Sequence, residues 1–454
     1  MTSSLSQLQH HSTPIKNSQH GEVIVLDTGS TIDAEAAAML QALHSRSVGG
    51  LREHLESLEA RGADNFMANF YVGYGHASIG DCGTTTIFIE GVSMLAAKAI
   101  QDWRLYSGQE ASTRYIDFAT QPFLNPLGTE QGEVILENWR QFYIDTMPVL
   151  VDDLKQRFPM TDSEKESVYE KAISARAFDT LRGFLPAGST TNLAWTTNLR
   201  QAADAMKHLR HHPLEEVRNI ADALEQSLQS AHPNSFGHKQ YEGTEEYNKP
   251  YMQHDYYYHN PNCDSLTMTY NGIDTNLLQE YQGVLSNRPA KTELVRQIAE
   301  CGTVGFTFPL DFGSFRDIQR HRAIVQRMPL LTTELGFNQW YLNELPTSIK
   351  EQANRLLESQ IELINELDCD PATRQYYIGM GYNTANRISG DLAALTYLVE
   401  LRATRFVHPT LRYQAQDMAH LLEDQFKDQG LVIHLDAEAD RFDIKRGEHD
   451  IQIN

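Results

Sequence analysis

Two short stretches of this chain concentrate side chains that handle anions. The first, Arg104-Leu-Tyr-Ser107-Gly-Gln-Glu110-Ala-Ser112-Thr-Arg114-Tyr115, packs two arginines, two serines and a glutamate directly after an apolar run. Arginine forks bind phosphate oxygens in bidentate fashion, and serine hydroxyls add neutral donors. A carboxylate orients an arginine or accepts from a sugar hydroxyl. The same residues also suit a helix-capping loop closed by an i, i+4 pair between Glu110 and Arg114. The second stretch, Arg316-Asp-Ile-Gln-Arg320-His321-Arg322-Ala-Ile-Val-Gln-Arg327, sets four arginines against one aspartate. As a helix from about Ser314 to Gln326 it would bring Arg316, Arg320 and Arg327 within roughly 40° of one another and turn Ile318 and Val325 to the core. That face is either an anion stripe or a solvated basic surface paired with acidic neighbours.

Other candidates carry less. His254, His259 and Cys263 match no tight zinc spacing and read as part of a Tyr-rich surface loop, so no metal is expected. His208, His211 and His212 beside Arg210 suit packing or support better than ligation. The chain has no G-x-G-x-x-G and no P-loop, which removes support for Rossmann-type cofactor binding and for nucleotide hydrolysis.

The elements that must position these residues follow from periodicity. Apolar residues recur at helical spacing from Thr31 to Arg61. Thr84 to Ile89 is a β-branched and aromatic run between glycines and predicts a strand. Val92, Leu95, Ala96, Ala99, Ile100 and Trp103 then predict a helix with Ser93 as N-cap. Segments 130–159, 163–182 and 196–232 read as helical. From Asn234 to Gly272 the composition shifts to Tyr, Asn, His and Pro without a period, the mark of a linker. Beyond it come a helical stretch near 276–300, a strand candidate Val304 to Leu310, the helix already described, and further helices to about 425.

At 454 residues the chain is about three modal domains long, so two cores are the starting expectation. A net charge of −22 disfavours general binding to nucleic acid polymers or anionic membranes, so any anion site must be local. Cys82, Cys263, Cys301 and Cys369 lie far apart with no C-x-x-C pair, which fits reduced thiols in a cytoplasm. The first twenty residues, rich in Ser, Gln and His, read as a mobile tail, and no run approaches the ~18 apolar residues of a membrane span.

The two halves share the order helix, short strand, helix, loop, helices. Thr197 through Leu209-Arg210 and His212-Pro213 finds a counterpart in Gly390-Asp391-Leu392 through Leu401-Arg402 and His408-Pro409, with four extra residues before the second His-Pro. This order predicts two tandem copies at 31–235 and 273–430, joined by a linker at 236–272 and followed by a tail at 431–454.

The first copy resembles the flavin-dependent thymidylate synthases, whose signature is R-H-R, seven residues, then Ser, with further Ser, Glu and Arg-Tyr positions. Arg104, Ser107, Glu110, Ser112, Arg114 and Tyr115 fall in register with it. The resemblance extends to Gly75-His76-Ala77-Ser78, to Arg182 with Leu185-Pro186, and to Trp195, Asn198, Arg200, Leu209 and Arg210, covering roughly residues 70–230. It implies an α+β fold in each copy, with helices around a small, mainly antiparallel sheet. It also implies reductive methylation of dUMP to dTMP with methylenetetrahydrofolate as carbon donor, FAD as hydride carrier and NADPH as reductant. By this resemblance Arg104, Glu110, Ser112, Arg114, Arg182 and Arg210 hold the nucleotide, with Arg210 and Ser112 nearest the chemistry. His76, Ser78, Asn198 and Arg200 contact flavin. The first copy has Asp102 and Trp103 where the family has the first Arg and His of its triplet, and Asp204 where an amide is common. The second copy keeps Arg320-His321-Arg322 as a flavin contact but has Val325, Met328, Leu330 and Thr332 at the nucleotide positions. Family members are homotetramers, so a homodimer of fused chains would mimic that assembly.

Overall fold

Strand and helix alternate in the same order in the two halves of the chain. The computed structural model describes residues 10–26, 33–46, 51–73, 77–111, 113, 116–162, 164–237 and 240–436. The first half starts with β1 (His10–Pro14) and β2 (Glu22–Leu26), then β3 (Thr84–Ser93), helix Met94–Gln101 and β4 (Ser107–Glu110). Helices Glu130–Arg157 and Glu166–Leu181 precede β5 (Thr190–Asn198) and helices Leu199–Leu209 and Glu215–Ala231. The second half has β6 (Thr267–Asn271), β7 (Val304–Asp311), helix Phe312–Ile318, β8 (Val325–Arg327), helix Thr347–Asn365, β9 (Asn383–Gly390) and helices Leu392–Arg402 and Pro409–Phe426.

The strands form two antiparallel sheets ordered β1-β2-β3-β5-β4 and β6-β7-β9-β8. With helices making up most of the remainder, the fold class is α+β, as expected. The second sheet repeats the order of the last four strands of the first. In β3, Ile87 and Ile89 are fully buried while Thr84 is exposed, the alternation of a strand with one covered face. The register with β5 shifts between Ile89 and Val92, where Gly91 takes φ 66°. A Cβ there would meet the His20 carbonyl oxygen at 2.7 Å, so the bulge requires glycine.

Each central strand hands over to its helix through a side-chain cap. Ser93 Oγ accepts from Ala96 N at 3.0 Å and Asp311 Oδ1 from Ser314 N at 2.9 Å. Asn198 Oδ1 accepts from Gln201 N at 2.8 Å and Asp391 Oδ1 from Ala394 N at 2.9 Å. Helix Met94–Gln101 with its Ser93 cap is the one periodicity predicts.

The chain divides into two compact units, Met1–Ile116 with Ser189–Tyr256, and Asp117–Gly188 with Tyr257–Asn454. The sequence boundaries are therefore corrected at several points. Helices Glu130–Arg157 and Glu166–Leu181, placed in the first copy by chain order, belong to the second unit, where Trp139 Nε1 donates to the Tyr377 carbonyl at 2.9 Å and Phe142 packs on Phe184. The expected tail contains strand β1, which pairs with β2. The expected linker contains helix Glu242–Pro250 and strand β6, and the unit boundary falls within it. Leu431 and Ile433, placed in a C-terminal tail, are buried; residues 437–454 lie outside the described residues.

The largest correction concerns the arginine-rich stretch. Its helix ends at Ile318, and Val325–Arg327 instead pairs with Arg387–Ser389 as an edge strand. Ile318 is buried as expected, but Val325 is 66% exposed. The turn is held by Gln326, whose side-chain amide donates to the His321 carbonyl at 2.7 Å, and the β-branched pair Ile324-Val325 favours extended backbone.

Candidate functional site

In the first unit, helix Leu199–Leu209 carries the basic groups. Arg200 and Arg210 line one cavity of about 200 Å³ together with Tyr71, Asp204, Phe236 and Glu245. Both guanidiniums are matched by carboxylates. Arg200 makes a two-pronged pair with Asp81, Nε to Oδ1 at 2.8 Å and an Nη to Oδ2 at 2.7 Å, and this holds its charge above the ordinary arginine range. Arg210 lies 3.5 Å from Glu245 and 3.9 Å from Glu225, and its Nε donates to the Met206 carbonyl at 3.2 Å. His211 shares Glu245 at 2.5 Å, so a helix from the expected linker is pinned over the end of Leu199–Leu209.

Other described residues of the signature lie elsewhere in the first unit. Arg104 is exposed in the turn after Met94–Gln101. Glu110 ends β4, half-buried, and accepts from the Gln101 amide at 2.9 Å. Ser78 is exposed on the short helix Ala77–Gly80. Asn198 uses its carbonyl oxygen as the helix cap, leaving its amide nitrogen as a donor. His76, Ser112, Arg114 and Tyr115 lie outside the described residues.

Asp102 and Trp103 are each accommodated by a neighbour. Buried Lys98 pairs with Asp102 at 2.6 Å, and the Tyr256 hydroxyl donates to the same carboxylate oxygen at 2.6 Å. The anion is thus locally balanced. The Trp103 indole N–H donates to Gln201 Oε1 at 3.2 Å, and its ring sits 5.7 Å from that of His208.

The second unit holds Arg320, His321, Arg322 and Arg182. Arg320 and Arg322 are exposed, whereas His321 is buried and accepts through Nε2 from Arg402 Nε at 2.8 Å. Burial, and then the Arg402 charge, push the imidazole down to about 3, so it is neutral at physiological pH. Arg182 is buried and donates to Ser314 Oγ at 2.8 Å. Ser314 contacts Thr410, which donates to Asp311 Oδ2 at 2.6 Å, while the Tyr341 hydroxyl donates to Asp311 Oδ1 at 2.7 Å. Burial opposes the charge of Arg182, but Tyr341, Asp179, Asp317 and Asp311 outweigh it and raise its pKa. Sequence reasoning missed this network. His408-Pro409 was the visible signal, since His408 contacts Thr410 at 2.9 Å and the Asp179 carbonyl at 3.1 Å.

Caps give a firmer alignment of the halves than dipeptides do. Counting from Asn198 and Asp391, Arg402 falls opposite Leu209, and Ala403 opposite Arg210. His212 lies fourteen residues beyond its cap and His408 seventeen beyond its own, so the second copy carries three extra residues rather than four. Counting from Ser93 and Asp311, Asp102, Trp103 and Arg104 fall opposite Arg320, His321 and Arg322.

Among the described residues, no helix is long and apolar enough to cross a membrane. Residues 25–234 match the model of the thymidylate synthase complementing protein family. The chain is also 25% identical over 465 residues to a UPF0159 protein of Chlamydia muridarum, covering 83% of this chain and 85% of the relative. A UPF0159 protein of Chlamydia pneumoniae is 25% identical over 406 residues, covering 77% and 76%. One from Thermoplasma acidophilum is 22% identical over 423 residues, covering 77% and 84%.

Proposed function

We propose that this chain is an FAD-dependent thymidylate synthase that converts dUMP to dTMP, because residues 25–234 match the model of the thymidylate synthase complementing protein family. Methylenetetrahydrofolate is the carbon donor and NADPH the reductant in this reading. The observation that supports it most is the cavity lined by both Arg200 and Arg210. Arg210 suits the polarised edge of uracil: a guanidinium stabilises negative charge on the ring oxygen and so makes C5 nucleophilic toward the methylene group. Exposed Arg104 suits the phosphate, and Glu110 a sugar hydroxyl. Ser112 and Arg114 are assigned to the nucleotide by their place in the signature.

In the first unit the donors assigned to flavin fit an anionic cofactor in kind: the Ser78 hydroxyl, the Asn198 amide nitrogen and the Arg200 guanidinium, with His76 by family position. In the second unit exposed Arg320 and Arg322 offer donors as well, whereas His321 is buried and already accepts from Arg402. Asp81 shares Arg200 and would have to yield part of its pairing. When bound and reduced by NADPH, FAD would supply the hydride. The chain's residues orient the nucleotide and balance its charge. In this reading the chain self-associates into a homodimer. Growth of a thymidine-requiring bacterium on a plasmid carrying this chain tests the activity; no rescue, with a colourless purified protein that takes up no FAD, would overturn it.

A second reading has its own observation. Asp102 and Trp103 replace two triplet residues and are fixed by Lys98, Tyr256 and Gln201, as in a flavin- or nucleotide-binding paralogue without catalysis. Flavin absorbance without dUMP-dependent NADPH oxidation would favour that reading. Turnover of a different pyrimidine nucleotide would instead keep the enzyme and change its substrate.

A further inference from the structure

We propose that the second unit binds an uncharged nucleoside, through a base that carries a ring carbonyl, in a cavity along helix Leu392–Arg402. That helix carries apolar side chains outward as well as inward. Leu392, Leu395, Leu398 and Val399 are buried, yet Tyr397 and Leu401 are 46% and 42% exposed. A helix that is apolar on both sides calls for a cover on its outer face too. Counting from the caps, Ala203, Asp204 and Lys207 of the first unit fall opposite Thr396, Tyr397 and Glu400. The first three line the cavity that holds Arg200 and Arg210. The second three line a cavity of about 550 Å³, within the usual range for small-molecule sites of roughly 300–1,000 Å³. Each unit keeps a hollow along the matching helix, and the second has an aromatic ring where the first has an acid.

Two buried polar groups on this lining have no hydrogen-bond partner among the described residues: the hydroxyl of Thr396, a residue 1% exposed, and Nε of Arg288. Each such group costs free energy until something accepts from it. Arg288 cannot turn to find a partner, because its other nitrogens are held by Glu400 and by the Thr292 and Val432 carbonyls at 2.6 Å and 2.9 Å. Thr396 can, since a helical threonine uses two χ1 wells, and an acceptor in the cavity favours the well that faces it. A ring carbonyl is such an acceptor. The ring itself lies on Tyr397, which a T-shaped contact with His321 at 5.8 Å already holds in place. Charge decides against a phosphate. Arg288 pairs with Glu400, and Arg405 with Asp436 at 3.3 Å; with Lys291 and Glu293 the described lining carries three arginine or lysine cations and three carboxylates. A phosphate would meet as much repulsion as attraction, whereas sugar hydroxyls suit the Thr404 and Glu293 side chains. This inference does not rest on the thymidylate reading.

Isothermal titration calorimetry of the full chain with thymidine and with uridine tests it. Saturable binding of at least one is expected, weakened about tenfold in Tyr397→Ala and about three- to tenfold in Thr396→Val, and unchanged in Arg210→Gln, which alters the cavity of the first unit. Without nucleoside, Thr396→Val should melt at or above the wild-type temperature, because a hydroxyl without a partner gives way to a methyl group of the same shape. Any of four results would overturn the site: no saturable binding of either nucleoside to the wild type, undiminished binding to Tyr397→Ala or to Thr396→Val, equal weakening in Arg210→Gln, or a lower melting temperature of the unliganded Thr396→Val protein.

Discussion

The two sheets present the same positions with opposite chemistry. Nine residues beyond its cap, the first half carries Asp102-Trp103-Arg104 and the second Arg320-His321-Arg322. Trp103 donates to Gln201 on the helix after β5, while His321 accepts from Arg402 on the helix after β9. Asp102 is balanced by Lys98, one turn earlier on its own helix. Caps and strand pairing hold the backbone in both halves, so donor and acceptor can exchange, and anion and cation can exchange, while each side chain needs only a local partner. Charge divergence on a fixed scaffold is what the comparison teaches.

The largest effect that tests this contrast lies at the caps. Asp311 is fully buried and accepts from Tyr341, Thr410 and the Ser314 amide, with Arg182 close by. Asp311→Ala should cost about 3–5 kcal/mol in a denaturant titration, since it removes a cap and leaves the buried Tyr341 and Thr410 hydroxyls without their acceptor. Its counterpart Ser93→Ala removes a cap and a bond to Glu216 and should cost about 1–2 kcal/mol. Equal losses would mean that the second cap does not anchor the Tyr341 and Thr410 hydroxyls.

Next in size is a dependence on pH. The His321 pKa lies at about 3 in the folded chain, below the ordinary value near 6.5. Between those values the unfolded chain binds the extra proton, so His321 contributes stability that is fully present above about pH 6.5 and is lost as pH falls toward 3. From pH 6.5 to pH 5 the loss should be about 2 kcal/mol. His321→Gln, which can still accept from Arg402, should flatten that part of the curve. The buried His212 and His408, also lowered by burial, should keep the remaining slope. An unchanged slope in His321→Gln would remove His321 from the account. A smaller effect is expected at Asp102, the counterpart of Arg320: Asp102→Asn weakens the partner of buried Lys98 and should cost about 1 kcal/mol by thermal unfolding. No loss would show that Tyr256 alone satisfies the ammonium group.

What was legible in the sequence follows this division between backbone and partner. Thr84 to Ile89, Val304 to Leu310 and the Ser93 cap are local signals of β-branching, alternation and a short hydroxyl side chain, and each forms the element it predicts. The Ser314–Gln326 helix fails because four arginines fit a helical stripe equally well when the chain breaks at Gln319 and pairs as a strand; only Ile324-Val325 hinted at that. The network around Asp311 showed in the sequence only through His408-Pro409, because Arg182, Tyr341 and His408 are far apart along the chain. The transfer of 117–188 to the second unit is likewise a matter of long-range packing, for which amphipathic helices carry no address.

The smallest effect concerns Glu245, which separates the halves in another way. It comes from helix Glu242–Pro250, between the two sheets in sequence, and pairs with Arg210 at 3.5 Å and His211 at 2.5 Å. Arg210 has only Ala403 opposite it in the second half, so no equivalent pair can form there. If Arg210 holds the uracil edge, the carboxylate competes with the nucleotide for the same guanidinium. Partly exposed pairs of this kind are worth about 0.2–1 kcal/mol. Glu245→Gln should therefore tighten dUMP binding about two- to fivefold by calorimetry. Weaker binding by a similar factor would give Glu245 the opposite role: a positioning residue that aims Arg210 through His211 and the helix end, in which case the segment joining the two sheets is part of the nucleotide site itself.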